Sequence, residues 1–191
     1  MDKNINETAS SDQDAAQVRA FQKGDKSGFD KLVLKYKDNV FNMCYYLFGD
    51  YSEAENCARE TFLNLYEDIK DFRFKTKCYI LIYQIAVSVC NSKLKRLSTR
   101  KMNLLNDIEA SEASDDNSLS DSETKDRSEA IRQQISSLPS DTRLLLVLRD
   151  IQGLSSEDIA EITALKVIAV KSGLFRARDM LREKLKRKNV I

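Results

Sequence analysis

At 191 residues the chain has room for one domain or two small ones. A single Pro and only 5 Gly leave few tight turns, which argues against an all-β fold, and a chain without His whose cysteines form no Cys-x-x-Cys pair argues against a zinc site of the usual kinds. The formal net charge of +1 says nothing about partners, but its distribution does: residues 93–101 are basic, 103–129 strongly acidic, and the C-terminal segment basic again, as expected of a chain that meets a polyanion at two places across an acidic connector.

In chain order, residues 1–13 are polar and are predicted to fray. From Ala15 to Thr99 the pattern is helical. Phe29, Leu32, Val33, Tyr36, Val40, Cys44 and Leu47 recur at steps of three and four, the spacing of one helix face. "GDYSEAE" breaks the pattern, and Ser52 with Glu55 has the spacing of a capping box for the next helix. There Ala54, Cys57, Ala58, Thr61, Phe62, Leu65 and Ile69 share a face. A third helix is predicted over Tyr79–Leu97 with Ile82, Ile85, Ala86 and Val89 inward, although its Ile/Val-rich start also fits a strand. Cys44, Cys57 and Cys90 fall on these apolar faces and read as buried thiols, with a redox switch as the alternative.

The next stretch, "NDIEASEASDDNSLSDSETKD", is too rich in Ser, Asp and Glu to build a core and reads as a self-repelling tether. A second helical block starts near Ser128, punctuated by Pro139 and Ser140, with Ser140 the predicted N-cap of "DTRLLLVLRDIQ" and Gly153 its stop. Ser155 with Asp158 caps a short helix carrying Ile159, Ala160 and Ile162. "TALK" interrupts it, and a basic helix follows that buries Val167, Val170, Leu174, Ala177, Leu181 and Leu185. Two helices joined by so short a turn must cross at an angle, which is helix-turn-helix geometry. The outward face of the second helix presents Lys171, Ser172, Phe175, Arg176 and Arg178, side chains suited to phosphates and major-groove base edges; the plain alternative is a solvated face. The fold class expected is all-α: two small helical domains, 15–101 and 128–188, joined by a flexible acidic linker, 102–127, with the helix-turn-helix at the end. The longest apolar run, "CYILIYQIAVSVC", is too short to span a membrane, and no signal peptide is evident, so a cytoplasmic protein without membrane insertion is expected. No phosphate-cradling Gly loop and no nucleophile–base pair suggest an enzyme.

"SLPSDTRLLLVLRDIQGLSSEDIAEITALKVIAVKSGLFRARDMLREKL" closely resembles region 4 of bacterial RNA polymerase sigma factors of the extracytoplasmic-function class, and "FDKLVLKYKDNVFNMCYYLFGDYSEAENCARETFLNLYEDIKDF" resembles their region 2. The likeness spans about Ala15 to Lys188, in the family's order and with no region 3 between. It implies an alternative sigma factor that performs no chemistry itself, needs no cofactor, and has core RNA polymerase, promoter DNA and an anti-sigma factor as partners. By that resemblance Asn56, Arg59, Glu60 and Leu63 would dock on the polymerase, with Asn56 and Arg59 standing where the family usually has Asp and Gln. Phe72, Phe74, Lys75 and Tyr79 would grip the −10 element around a flipped base, and Lys93, Arg96 and their basic neighbours Lys95, Arg100 and Lys101 would hold phosphates. Lys166, Ile168, Lys171, Ser172, Phe175, Arg176 and Arg178 would read the −35 element.

The sequence departs from the family at Leu81, where Trp is usual, at Ser88 and Ser92, where Asn and Asp are usual, at Ala164, where the turn is usually Gly, and at Gly173, often Arg. A Gly there implies either a close approach of backbone to DNA or a lost base contact. Two other readings fit the residues: a stand-alone helix-turn-helix regulator, and a degenerate sigma-like protein that binds polymerase without opening promoters.

Overall fold

The computed structural model describes residues 2–107 and 123–188, and among them there is no strand. Eight α-helices follow one another: α1 Asp2–Gln22, α2 Ser27–Phe48, α3 Tyr51–Asp68, α4 Cys78–Asp107, α5 Glu123–Ser136, α6 Ser140–Leu146, α7 Ser156–Thr163 and α8 Val167–Arg187. The all-α expectation holds. Helix α1 begins well before Ala15, where the helical pattern was expected to start. The acidic stretch expected as a tether is helical at both ends, in α4 to Asp107 and in α5 from Glu123; its middle, 108–122, lies outside the described residues.

The N-terminal half packs α1 to α4 around the residues that the helical spacing singles out. Leu32, Tyr36, Val40, Cys44 and Leu47 of α2 face Ala54, Cys57, Ala58, Thr61 and Leu65 of α3, all buried, while Phe29 and Val33 are half-buried. Helix α4 is buried nearly all round from Ile80 to Cys90, which explains its strand-like run: a helix covered on several sides needs no polar face. Asp14 of α1 is buried because it accepts a hydrogen bond from the Tyr36 hydroxyl and pairs with Lys35, so its charge is compensated where it sits. The α2–α3 turn is capped differently from the expectation. Gly49 takes the left-handed C-cap, and Asp50, not Ser52, is the N-cap, accepting from the Glu53 N–H at 2.7 Å.

In the C-terminal half, Pro139 takes the N-cap position expected for Ser140, which becomes the first helical residue. Helix α6 runs into a π-helical turn, Val147–Ile151, and Leu144 to Leu148 are all buried, so this segment is the centre of the half. Ser155 caps α7 as expected, accepting from the Asp158 N–H at 3.0 Å while its own hydroxyl donates to Asp158 Oδ2 at 2.7 Å. Ala164 ends α7 in the left-handed conformation at φ 56°. A Cβ there is strained, and Ala164→Gly is expected to raise stability by up to about 1 kcal/mol, read as an upward shift of the thermal midpoint with the helix content unchanged.

The two helical domains pack against each other, and one continuous apolar cluster runs through both. Arg143 donates to the Leu47 carbonyl, and the buried Arg132 donates to the Gly49 carbonyl at 3.2 Å while its guanidinium lies 3.9 Å over the Tyr45 ring. Tyr83 of α4 donates to Gln152 Oε1 at 2.8 Å. Burial lifts the Tyr83 hydroxyl to about 12, so it remains a donor at any physiological pH.

Candidate nucleic-acid interface

Three surfaces collect the residues expected to act. On α3, Asn56, Arg59, Glu60 and Leu63 are all exposed on the face opposite Cys57, Ala58 and Thr61. Leu63 is 64% exposed, an apolar side chain within a charged stripe. Arg59 reaches only back to Glu55, at 3.3 Å, a solvent-facing pair worth little.

The second surface is the loop from 72 to 77 with the start of α4. Phe72 and Phe74 are half-buried and pack edge to face at 5.1 Å, with the Arg19 guanidinium 4.8 Å from the Phe74 ring. Gln22 Nε2 donates to the carbonyls of Ile69 and Phe72, both at 2.9 Å, tying the loop to α1. Phe74 holds φ at 54°, a conformation that non-Gly residues seldom adopt and that tends to mark working sites. Phe72, Arg73, Lys75 and Leu81 line an open groove together with Glu67, Asp68 and Asp71. Leu81 is half-buried against the core, so the residue standing where Trp is usual serves both core and groove. Arg73 was not singled out from sequence, although it sits between two aromatics in "DFRFKTK", the alternation that puts a cation beside rings.

Tyr79, Lys93 and Arg96 do not lie open together. The Tyr79 hydroxyl donates to Asp158 Oδ1 in α7 at 2.9 Å, and burial raises its pKa above the usual phenol value. Thr76 donates to the Glu161 carboxylate, and Gln84 Nε2 to the Glu161 carbonyl at 3.2 Å. The loop and α4 are therefore hydrogen-bonded to the helix-turn-helix. Lys93 pairs with Glu53 at 2.7 Å, which raises its pKa and keeps it charged, whereas Arg96 is exposed, as are Ser88 and Ser92.

The third surface is α8. Lys166, Ile168, Lys171, Ser172, Phe175, Arg176 and Arg178 are all exposed, Ile168 by 81% and Phe175 by 74%. At about 100° per residue, 168 to 178 of this set occupy less than half the helix circumference. A face that mixes cations, a hydroxyl and two large apolar side chains suits phosphates, base edges and thymine methyls together. Arg178 is held by Asp150 through two bonds, at 3.0 and 2.5 Å, which raise its pKa, so it braces α8 against the π-helical turn. Gly173 points the other way. It is buried, and a Cβ built on it would lie 2.4 Å from Leu145 Cδ1 of α6. Neither a close approach to DNA nor a lost base contact accounts for this Gly; close helix packing does.

The family model for sigma-70 region 4 matches residues 128–181. The chain is 33% identical over 180 residues to the RNA polymerase sigma-H factor of Pseudomonas aeruginosa, covering 89% of this chain and 92% of that protein. It is 33% identical over 184 residues to the ECF RNA polymerase sigma-E factor of Escherichia coli (90% and 94%) and 28% identical over 180 residues to the sigma factor SigW of Bacillus subtilis (88% and 95%). Among solved structures its fold is similar to CnrH in complex with the cytosolic domain of CnrY (TM-score 0.67, 16% identity, 92% and 98% covered). It is equally similar to the sigma factor RpoE bound to the anti-sigma factor NepR from Bartonella quintana (TM-score 0.67, 20% identity, 84% and 98%). Among the described residues no helix is long and apolar enough to cross a membrane. With relatives of this identity matched over almost their whole length, the chain belongs to the extracytoplasmic-function family of RNA polymerase sigma factors.

Proposed function

We propose that this chain is an alternative sigma factor in which residues 15–101 bind core RNA polymerase and the −10 element and residues 128–188 bind the −35 element. It performs no chemistry, works in the cytoplasm, and is held in check by an anti-sigma factor. The observation that carries the reading is one chain presenting both an apolar Leu63 in the charged stripe of α3 and a basic, partly apolar face on α8, within a family defined over both halves. A stand-alone regulator would need only the second. In this reading Asn56, Arg59, Glu60 and Leu63 dock on polymerase. Phe72, Phe74, Lys75 and Tyr79 hold a flipped base of the −10 element, with Arg96 and, once released from Glu53, Lys93 on the phosphates. Lys166, Ile168, Lys171, Ser172, Phe175 and Arg176 take the −35 duplex, joined by Arg178 when Asp150 lets it go.

The test is a holoenzyme reconstituted from core polymerase and the full chain, bound to promoters chosen by in vitro selection. Single-strand reactivity of thymines over the −10 element is expected, and is expected to vanish when Phe74 and Tyr79 are both replaced by Ala while duplex binding persists. Tight binding without reactive thymines would make the protein a polymerase-binding relative that does not open promoters.

Leu63→Asp is expected to weaken capture of core polymerase by tenfold or more (about 1.4 kcal/mol or more) while moving the melting temperature by less than about 2 °C, because a side chain this exposed contributes little to the fold. A large drop in melting temperature would place Leu63 in the core instead. Lys171→Ala and Arg176→Ala are each expected to lower duplex affinity. For a phosphate contact the salt slope falls by about one and the loss is uniform across sequences; for a base contact about 1–3 kcal/mol of preference disappears at one position. Unchanged affinity and preference in both variants would leave α8 a solvated face.

A further inference from the structure

Contacts from two directions hold the loop that carries Phe72 and Phe74. Thr76 donates to the Glu161 carboxylate, and Tyr79 at the start of α4 donates to Asp158, so these belong to the docking of the two halves. The others come from the C-terminal end of α1. Gln22 is the last residue of that helix, and its Nε2 donates to two main-chain carbonyls, those of Ile69 and Phe72, each at 2.9 Å. An amide NH2 carries two hydrogens, one for each carbonyl. Between the two carbonyls runs a 3-10 turn, Ile69–Asp71, so the pair of bonds fixes how the loop leaves α3. Three residues before Gln22, on the same face of α1, Arg19 sets its guanidinium 4.8 Å from the centre of the Phe74 ring.

The end of α1 is a firm support. Gly24 follows the helix at φ 97°, and the buried Phe21 packs on the Phe29 ring of α2 at 5.5 Å and on the Tyr66 ring of α3 at 5.1 Å. The loop is the strained side. A left-handed residue such as Phe74, at φ 54°, persists only where its neighbours over-determine it. Arg19 on its ring, Phe72 edge to face and Gln22 on the Phe72 carbonyl supply that constraint. Helix α1 itself asks for neither Gln22 bond, because position 22 is exposed and any polar side chain would finish the helix there. The amide of Gln22 is directed at the loop.

We propose that Gln22, with Arg19 beside it, is the positioning residue of the loop, setting Phe72 and Phe74 in the orientation that receives an extruded base. The proposal rests on the reading of this loop as the grip on the −10 element. Gln22 touches no base in it and acts through the two aromatics. Its bonds lie within the N-terminal half, so they persist when the contacts from Asp158 and Glu161 are released, and they then keep the loop in shape. A grip placed beforehand by a rigid helix end loses less on closing around a base than a loop that must order itself first.

The experiment compares the full chain with Gln22→Met, which keeps the length of the side chain and removes both hydrogens, and Gln22→Glu, which keeps the shape and cannot donate. In reconstituted holoenzyme, the ratio of open to closed promoter complexes, read from thymine reactivity over the −10 element, is expected to fall about tenfold in both, the shift that two hydrogen bonds of ordinary net strength carry. Affinity for the −35 duplex and capture of core polymerase are expected to stay within about twofold, and the thermal midpoint within about 2 °C, as for an exposed position. In the free chain the Phe72 amide, which donates to the Ile69 carbonyl, is expected to exchange its hydrogen faster in both variants. Opening at the wild-type level in the Met variant, or unchanged exchange at Phe72, would overturn the proposal and leave the −10 reading standing. So would opening lost in the Glu variant alone, which would be an effect of charge near DNA, or a large fall in the thermal midpoint, which would make Gln22 part of the fold. A wild-type holoenzyme without reactive thymines would remove the −10 reading and this proposal with it.

Discussion

Oxidising the double variant Thr76→Cys, Glu161→Cys is expected to abolish simultaneous recognition of the −10 and −35 elements, and reduction to restore it. In the packed body, Thr76 donates to Glu161 while Tyr79 donates to Asp158 and Gln84 to the Glu161 carbonyl. The loop proposed to hold the −10 element is thus fastened to the helix-turn-helix proposed to hold the −35 element. By their positions the two elements are about 25 base pairs apart, roughly 85 Å of duplex at 3.4 Å per base pair. A compact body of this length is only about 40 Å across. One body cannot occupy both elements in this state, so the proposed function requires the α4–α7 contact to open.

Opening must separate apolar surface that the two halves share as well as these polar bonds, and at its edge Lys77 and Asp158 are 3.8 Å apart and solvent-reached. Each polar bond contributes about 0.5–1.5 kcal/mol net, and binding to polymerase and DNA has to offset these together with the apolar contact. A crosslink at 76–161 removes that option. The readout is a footprint of the holoenzyme over both elements, with Thr76→Cys alone, oxidised in the same way, as the control for the native thiols. A footprint over both elements from the oxidised double variant would show that opening is not needed and that the two surfaces have been assigned wrongly.

Much of this arrangement was legible in the sequence, for reasons specific to its residues. The inward faces of α2, α3 and α8 follow from apolar spacing alone, and Ser155 with Asp158 marked the start of α7 because an oxygen three residues before a carboxylate leaves one good cap. The α3 cap was not so marked. Asp50 with Glu53 and Ser52 with Glu55 have the same spacing, so the local pattern does not choose between them, and in the structure Asp50 takes the cap. The docking of the two halves was illegible for another reason. Its contacts pair polar side chains such as Tyr79 and Asp158, 79 positions apart, and a polar residue that finds a distant partner looks in sequence like a solvated one. The Lys93–Glu53 and Arg178–Asp150 pairs belong with these: each cation was counted toward DNA because its acidic partner lies on another element.

Gly173 is a different case, since its place was written in the helical phase. It stands three residues after Val170 and four before Ala177, both fully buried, and so falls on the inward face. Gly173→Arg is therefore expected to unfold the C-terminal half. Gly173→Ala gains about 1 kcal/mol of helix propensity and loses about 1–3 kcal/mol to overpacking against Leu145, a small net change that a rotation of the Leu145 tip can absorb. Arg has no such escape. Its stem fills the space where α6 and α8 touch, and its guanidinium would lie among buried leucines without a carboxylate beside it, at a penalty of several kcal/mol. That is comparable with the whole stability of a small domain, about 5–15 kcal/mol. The measurement is thermal unfolding followed by helicity, alongside duplex binding. A broad early transition and lost DNA affinity are expected for the Arg variant, with the Ala variant within a few degrees of wild type. An Arg variant that melts like wild type and binds duplex more tightly would mean that position 173 faces DNA after all, and that α8 is rotated from the packing described.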